Sequence, residues 1–190
     1  MTLTPCKAGP FAHPALSAEI PHTFGIYLTC PHAHAIGHRY GAWLDCSKLL
    51  NMAAYTAAIK EFTDSSPWNT DGAWTISDWD MPTVAVEDKC LATLAEYVRN
   101  WRQCCDYQEQ QAYDEYITDR GQVVSYREFK EALIGYYKDE TDFCWDQCTE
   151  PGIHEFGEFI DWDRYWERRF ERDGYTAFSV PNGMAFFRPV

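Results

Sequence analysis

The chain of 190 residues reads as an α+β protein: a small antiparallel sheet with one helix, a run of short helices, and a small α/β segment ending in a hairpin. Three observations predict this order. Apolar, aromatic and β-branched runs bounded by Pro and Gly fill 24–80; apolar residues at three- and four-residue spacing mark 91–149; and Pro-Asn-Gly at 181–183 separates two more strand-like runs. With 46% apolar and 16% aromatic residues there is ample material for a core.

Residues 1–23 carry four Pro and no sustained period, and read as a flexible arm outside the core. From Phe24, a strand over 24–30, a loop over 31–37 and a strand over 38–46 follow, with Ser47 as the cap of a helix over 48–62. Leu49, Leu50, Ala53, Ala54, Ala57, Ala58 and Phe62 form the expected inner face of that helix. The turn-rich 64–72 ends it, and 73–79 reads as a third strand.

After Pro82 the periodicity becomes helical. Glu87–Trp101 places Leu91, Leu94, Val98 and Trp101 on one stripe, with Glu87 and Asp88 in the first turn and Cys90 on the apolar side. Further helices are expected over 107–118, from the capping box Ser125/Glu128 through Tyr137, and over 140–149. Phe156, Phe159, Ile160 and Trp162 are denser in apolar surface than a one-sided strand needs, which marks 156–162 as a subunit contact. A helix over 162–172 stops at Gly174; its Arg164, Arg168 and Arg172, interleaved with Asp163, Glu167 and Glu171, read as a salt-bridged surface. Asn182-Gly183 then turns the final hairpin.

The net charge of −13 is unevenly spread: +2 over 1–60, −17 over 61–163 and +2 over 164–190. Such a field repels nucleic acid and anionic membranes and attracts basic surfaces, so the expected partner is a basic protein. No run approaches the roughly 18–20 apolar residues that span a bilayer. The start lacks the basic and apolar regions of a secretory signal, so a cytoplasmic setting with free thiols is expected.

Within the acidic stretch, Asp106, Glu109, Asp114, Glu115, Asp119, Glu128, Glu131, Asp139, Glu140, Asp142 and Asp146 recur at close spacing, and Glu158, Asp161 and Asp163 continue the series. Like charges three or four apart on a helix repel, so folding alone gives little reason for the pattern. A solvated polar face is the plain alternative. Magnitude favours a role in binding: duplex DNA carries one charge per about 1.7 Å, so −17 corresponds to roughly 29 Å, or about eight to nine base pairs, and a two-fold dimer to roughly 17.

Catalytic signatures are sparse. Cys30, His32, His34 and His38 have metal-ligand chemistry, but zinc sites usually pair ligands from separated segments, and nothing in the sequence brings Cys144 and Cys148 near. Cys144 and Cys148 share a helical face, as core residues do. There is no Gly-rich phosphate loop, Gly-x-Ser-x-Gly elbow or His-Glu-x-x-His pair, so neither enzymatic activity nor a cofactor or metal is expected. A metal- or thiol-dependent enzyme centred on 30–38 and Cys144/Cys148, and an acidic module for some other basic partner, stay open as alternatives.

Taken in order, Ile-Tyr-Leu-Thr-Cys (26–30), Gly-Ala-Trp-Leu-Asp-Cys (41–46), Ala-Trp-Thr-Ile-Ser-Asp-Trp-Asp-Met-Pro (73–82), the Tyr-rich block ending at Asp146 and the block 159–180 resemble the ArdA antirestriction family. The resemblance runs from Phe24 to the C-terminus. It implies an elongated, dimeric DNA mimic carried by mobile elements that occupies the DNA-binding cleft of type I restriction–modification enzymes. It also implies an N-terminal sheet domain over 24–81, a central acidic helical domain over 82–150 and a C-terminal α/β domain over 151–190 with the dimer contact. The arm at 1–23, the net-positive first 60 residues and the His-rich 31–38 stretch depart from that pattern.

Overall fold

The computed structural model describes residues 11–21, 24–86, 90–148 and 157–189, and the chain divides into two compact units, Met1–Asn100 and Trp101–Val190. It is α+β, with seven α-helices and two antiparallel sheets among the described residues.

In the first unit, β1 (Leu16–Ser17), β2 (Gly25–Thr29), β3 (Gly41–Asp45) and β4 (Thr75–Trp79) form one sheet in the order β1-β3-β2-β4. Ile26 pairs with Leu44 and Leu28 with Ala42, and the pleat sends these four side chains to one face, where all are fully buried. Tyr27 and Trp43 pair on the opposite face with ring centroids 5.3 Å apart. Helix α1 (Pro31–Ala35) follows β2, with Pro31 in its first turn, where a missing N–H costs nothing. Helix α2 (Met52–Asp64) buries Tyr55, Ala58, Ile59 and Phe62, and its Phe62 ring lies 5.4 Å from Tyr40. Helix α3 (Leu91–Trp101) buries Leu94, Tyr97 and Val98, with Tyr97 edge-on to Phe24 at 5.7 Å.

In the second unit, helices α4 (Tyr107–Arg120), α5 (Tyr126–Ala132), α6 (Glu140–Gln147) and α7 (Trp162–Arg169) accompany a sheet of β5 (Leu133–Tyr137), β6 (Thr176–Val180) and β7 (Gly183–Phe187) in the order β5-β7-β6. Phe186 and Phe187 are adjacent in β7 and face opposite ways. Phe186 stacks on Phe143 of α6 at 4.3 Å and meets Trp166 of α7 at 5.3 Å. Phe187 stacks on Tyr116 of α4 at 4.7 Å and meets Phe129 of α5 at 5.8 Å. Helices thus cover both faces of a three-stranded sheet.

Several elements differ from the sequence reading. The helix expected from Ser125 to Tyr137 ends at Ala132, and 133–137 form β5. Leu-Ile-Gly-Tyr-Tyr favours a strand through its β-branched and aromatic residues, Gly135 weakens a helix, and pairing of β5 with β7 decides the outcome. Asn51, not Ser47, caps α2 by accepting the Ala54 N–H at 3.0 Å; Ser47 sits in a 3₁₀ turn and donates to Asp45. The helix therefore starts later, and Leu50, Ala53 and Ala57 face solvent while Leu49 is buried ahead of it. The segment 31–37 contains a one-turn helix rather than only a loop. Leu16–Ser17 pairs with β3 and buries Ala15 and Leu16, so part of the Pro-rich start joins the core as a short edge. Cys90 is exposed just ahead of α3, and Glu87 and Asp88 lie outside the described residues. Helix α7 gives way at Phe170 to a 3₁₀ turn that stops at Gly174, and the closing hairpin forms around Asn182 at φ 68°.

Gly183 at φ +148° holds its place in β7 because a Cβ there would sit 2.3 Å from the Tyr137 carbonyl oxygen. Gly183→Ala is expected to destabilise the chain by about 3 kcal/mol in urea unfolding, whereas Gly37→Ala, at φ +82° with open space around it, costs about 1 kcal/mol. Equal effects from the two changes would contradict this assignment of strain to β5–β7 pairing.

Candidate functional site

The acidic residues of the second unit fall into groups with different physical roles. Asp106, Asp139 and Asp161 are helix N-caps: their carboxylates accept the N–H of Glu109 (2.9 Å), Asp142 (2.9 Å) and Arg164 (3.1 Å). Glu128 completes the predicted capping box, accepting from the Ser125 N–H at 2.9 Å and hydroxyl at 2.7 Å, and these bonds hold its carboxyl below the usual range. Asp142 accepts from the Lys138 N–H at 3.2 Å, and Asp146 accepts from the Tyr137 hydroxyl at 2.9 Å. Caps answer otherwise unpaired N–H groups and place negative charge at the positive end of a helix dipole. These acids therefore have a folding reason that spacing alone did not disclose.

Glu115, Asp119, Glu158 and Asp163 lie exposed, and Asp114 and Glu140 are half-buried. Glu115 and Asp119 stand at i and i+4 on α4, where repulsion costs a few tenths of a kcal/mol. Glu131 is paired with Arg127 at 2.7 Å on the surface of α5. Residues 101–190 hold 19 acidic and ten basic side chains, so the unit carries a net −9.

Glu109 is not on this surface. Its side chain is 5% exposed and joins Lys130 at 2.6 Å, the Tyr126 hydroxyl at 3.2 Å and the Cys105 N–H at 2.5 Å. Burial alone would raise its carboxyl, but Lys130 and these donors outweigh it and hold the group below the usual carboxylate range. Burial first, then the Glu109 charge, pushes the Tyr126 and Tyr136 hydroxyls up. Periodicity placed Glu109 among solvated acids because nothing local signals that Lys130, 21 residues on, closes over it.

The segment proposed as a subunit contact is divided. Phe156 lies outside the described residues. Phe159 is 78% exposed and Ile160 half-buried, while Trp162 packs edge-on against Trp145 and Tyr165 and donates its Nε1–H to the Gly157 carbonyl at 3.0 Å. Trp162 thus belongs partly to the interior of its own unit. The expected ladder of ion pairs along Arg164, Arg168 and Arg172 does not form; among the described residues of that segment the ion pair is Arg169–Asp173 at 3.3 Å.

The His-rich stretch does not converge on a metal. His32 meets Asp71 at 3.0 Å, His38 stacks on Trp68 at 4.8 Å, His34 is exposed, and Cys30 is buried. Among the described residues no group of three or more His, Cys, Asp or Glu is placed to hold a metal ion. Burial pushes the Cys46, Cys104 and Cys144 thiols up to about 12, so they stay protonated and are poor nucleophiles at neutral pH. Cys148 contacts the Tyr165 hydroxyl at 3.2 Å. No described helix is long and apolar enough to cross a membrane.

A family model described as antirestriction protein (ArdA) matches residues 26–182. No curated protein matches the chain.

The Glu109 knot yields a pH-dependent expectation. A carboxyl held low in the fold contributes stability that is complete above the ordinary carboxylate range and is lost as pH falls through its lowered value. Glu109→Ala should cost about 2 kcal/mol at pH 7, less than a fully buried pair because Lys130 is half exposed, and should flatten the loss of stability below about pH 4. Urea midpoints of the two proteins at neutral and acid pH provide the check, and an unchanged midpoint at pH 7 would refute it.

Proposed function

The chain belongs to the ArdA antirestriction protein family, and on that footing we propose that it acts by mimicking duplex DNA, occupying the DNA-binding cleft of a type I restriction–modification enzyme as a homodimer in the cytoplasm. The observation that carries this reading is the exposed acidic series on the second unit, in which Glu115 and Asp119 repel each other on α4. Caps at Asp106, Asp139 and Asp161 add carboxylates whose positions are fixed by backbone N–H groups. Fixed anions suit competition with phosphates, because little side-chain freedom remains to be lost on binding. The reading assigns no catalytic step to the protein and no contact with nucleic acid itself. Phe159 and Ile160 are the residues proposed to meet the second protomer, with Phe156 and Trp162 flanking them.

The test is displacement of labelled target DNA from a type I restriction–modification enzyme at low and moderate salt. Displacement near one dimer per DNA site, weakening steeply as salt rises, is expected. Changing Glu115, Asp119, Glu158 or Asp163 singly to Gln or Asn should cost less than about 1 kcal/mol each, and all four together should lower inhibition at least about tenfold. Displacement that ignores both salt and the fourfold change would sink the mimicry reading, and no displacement at any salt would remove this class of enzyme as the target.

A further inference from the structure

We propose that the first unit binds a small organic anion, a planar ring bearing a carboxylate or phosphate, in the cavity between α1 and the β2–β4 side of the sheet. The cavity measures about 540 Å³, within the roughly 300–1,000 Å³ of small-molecule sites. Its floor is the sheet face opposite the Ile26/Leu28 core, where Thr29, Thr75 and Ser77 present hydroxyls. Each hydroxyl holds only a 3.4 Å bond to a backbone carbonyl, beyond the ordinary O–H···O range, so each can turn toward a ligand. The Tyr27 ring forms an apolar wall, lying over Gly41, where a Cβ would stand 2.5 Å from its hydroxyl.

The charge of the lining selects the ligand. Arg39 is its cation, His34 and His38 add ring nitrogens, and no carboxylate contributes, in a chain with 29 acidic residues. His38 is held in place by stacking on Trp68, and the nearby Asp71 is occupied by His32 and the Ala73 N–H, each at 3.0 Å. A guanidinium in the lining recognises an anion through paired N–H donors, and an aromatic side chain in the same lining recognises a ring through its face. The site belongs to the first unit and the acidic series to the second, and the proposal does not rest on DNA mimicry.

Isothermal titration calorimetry of the full chain with benzoate, phenyl phosphate and uncharged benzyl alcohol tests it. At least one anion should saturate at 1:1 with at least about tenfold higher affinity than the alcohol, and the preferred anion identifies the headgroup. Arg39→Gln, a change at an exposed position, should weaken the anion about tenfold and leave the alcohol unchanged. The ring resonances of His34 and His38 should shift on adding the anion. No saturable binding of either anion, equal binding of the alcohol, or an Arg39→Gln protein that binds as before would overturn the proposal.

Discussion

Phe186 and Phe187 hold the second unit together by facing opposite ways from one strand, each locking a different pair of helices to the sheet. Both are fully buried, which contributes about 1.5–3 kcal/mol apiece, and their aromatic contacts add about 0.5–1.5 kcal/mol per pair. Phe143 extends the arrangement on one face, meeting Tyr137, Trp166 and Phe170 at 5.0–5.5 Å in edge-on geometry. On the other face Phe129 meets Tyr113 edge-on at 5.3 Å, and the Tyr113 hydroxyl donates to the Val124 carbonyl at 2.7 Å. Glu115, Asp119, Glu131 and Asp163 stand exposed on the helices fixed in this way.

Charge and folding are reconciled at the helix ends. A surplus of acids would ordinarily oppose compaction through repulsion, yet three aspartates open helices and a glutamate closes a capping box. Each cap is worth about 1 kcal/mol, enough to offset several unfavourable pairs of a few tenths each. Among the described acids of the second unit the one drawn inside, Glu109, is met by an ammonium and two neutral donors. The surface can therefore stay strongly negative without a counter-ion for every carboxylate.

Much of the architecture was legible because its signals are local. The Asn182-Gly183 turn, the Ser125/Glu128 box and the Leu94/Val98 stripe each depend on residues within a few positions, and each appears where expected. What escaped was set at long range. Nothing near 133–137 says that β7 will pair with it, and nothing near Glu109 announces Lys130. The acidic series was legible as a count, but its division into caps, an ion-paired knot and exposed charge depends on where helices begin. Asn51 outcompeted Ser47 for α2 because Asp45 had already engaged Ser47 in a tight turn.

The pairing of β5 with β7 also sets an order of events. The strand at 133–137 finds its partner only when 183–187 is available, about fifty residues later, and a hairpin of β6 and β7 alone is marginal in water. Sequence-distant closure of this kind is slow compared with helix formation. During synthesis α4 and α5 emerge first with their carboxylates already in place on the chain, but they lack the Phe187 side of their core. A ribosome-bound chain that has not yet released residue 187 would carry the charge without the geometry, so the ordered acidic surface is a property of the finished unit rather than of the helices that display it.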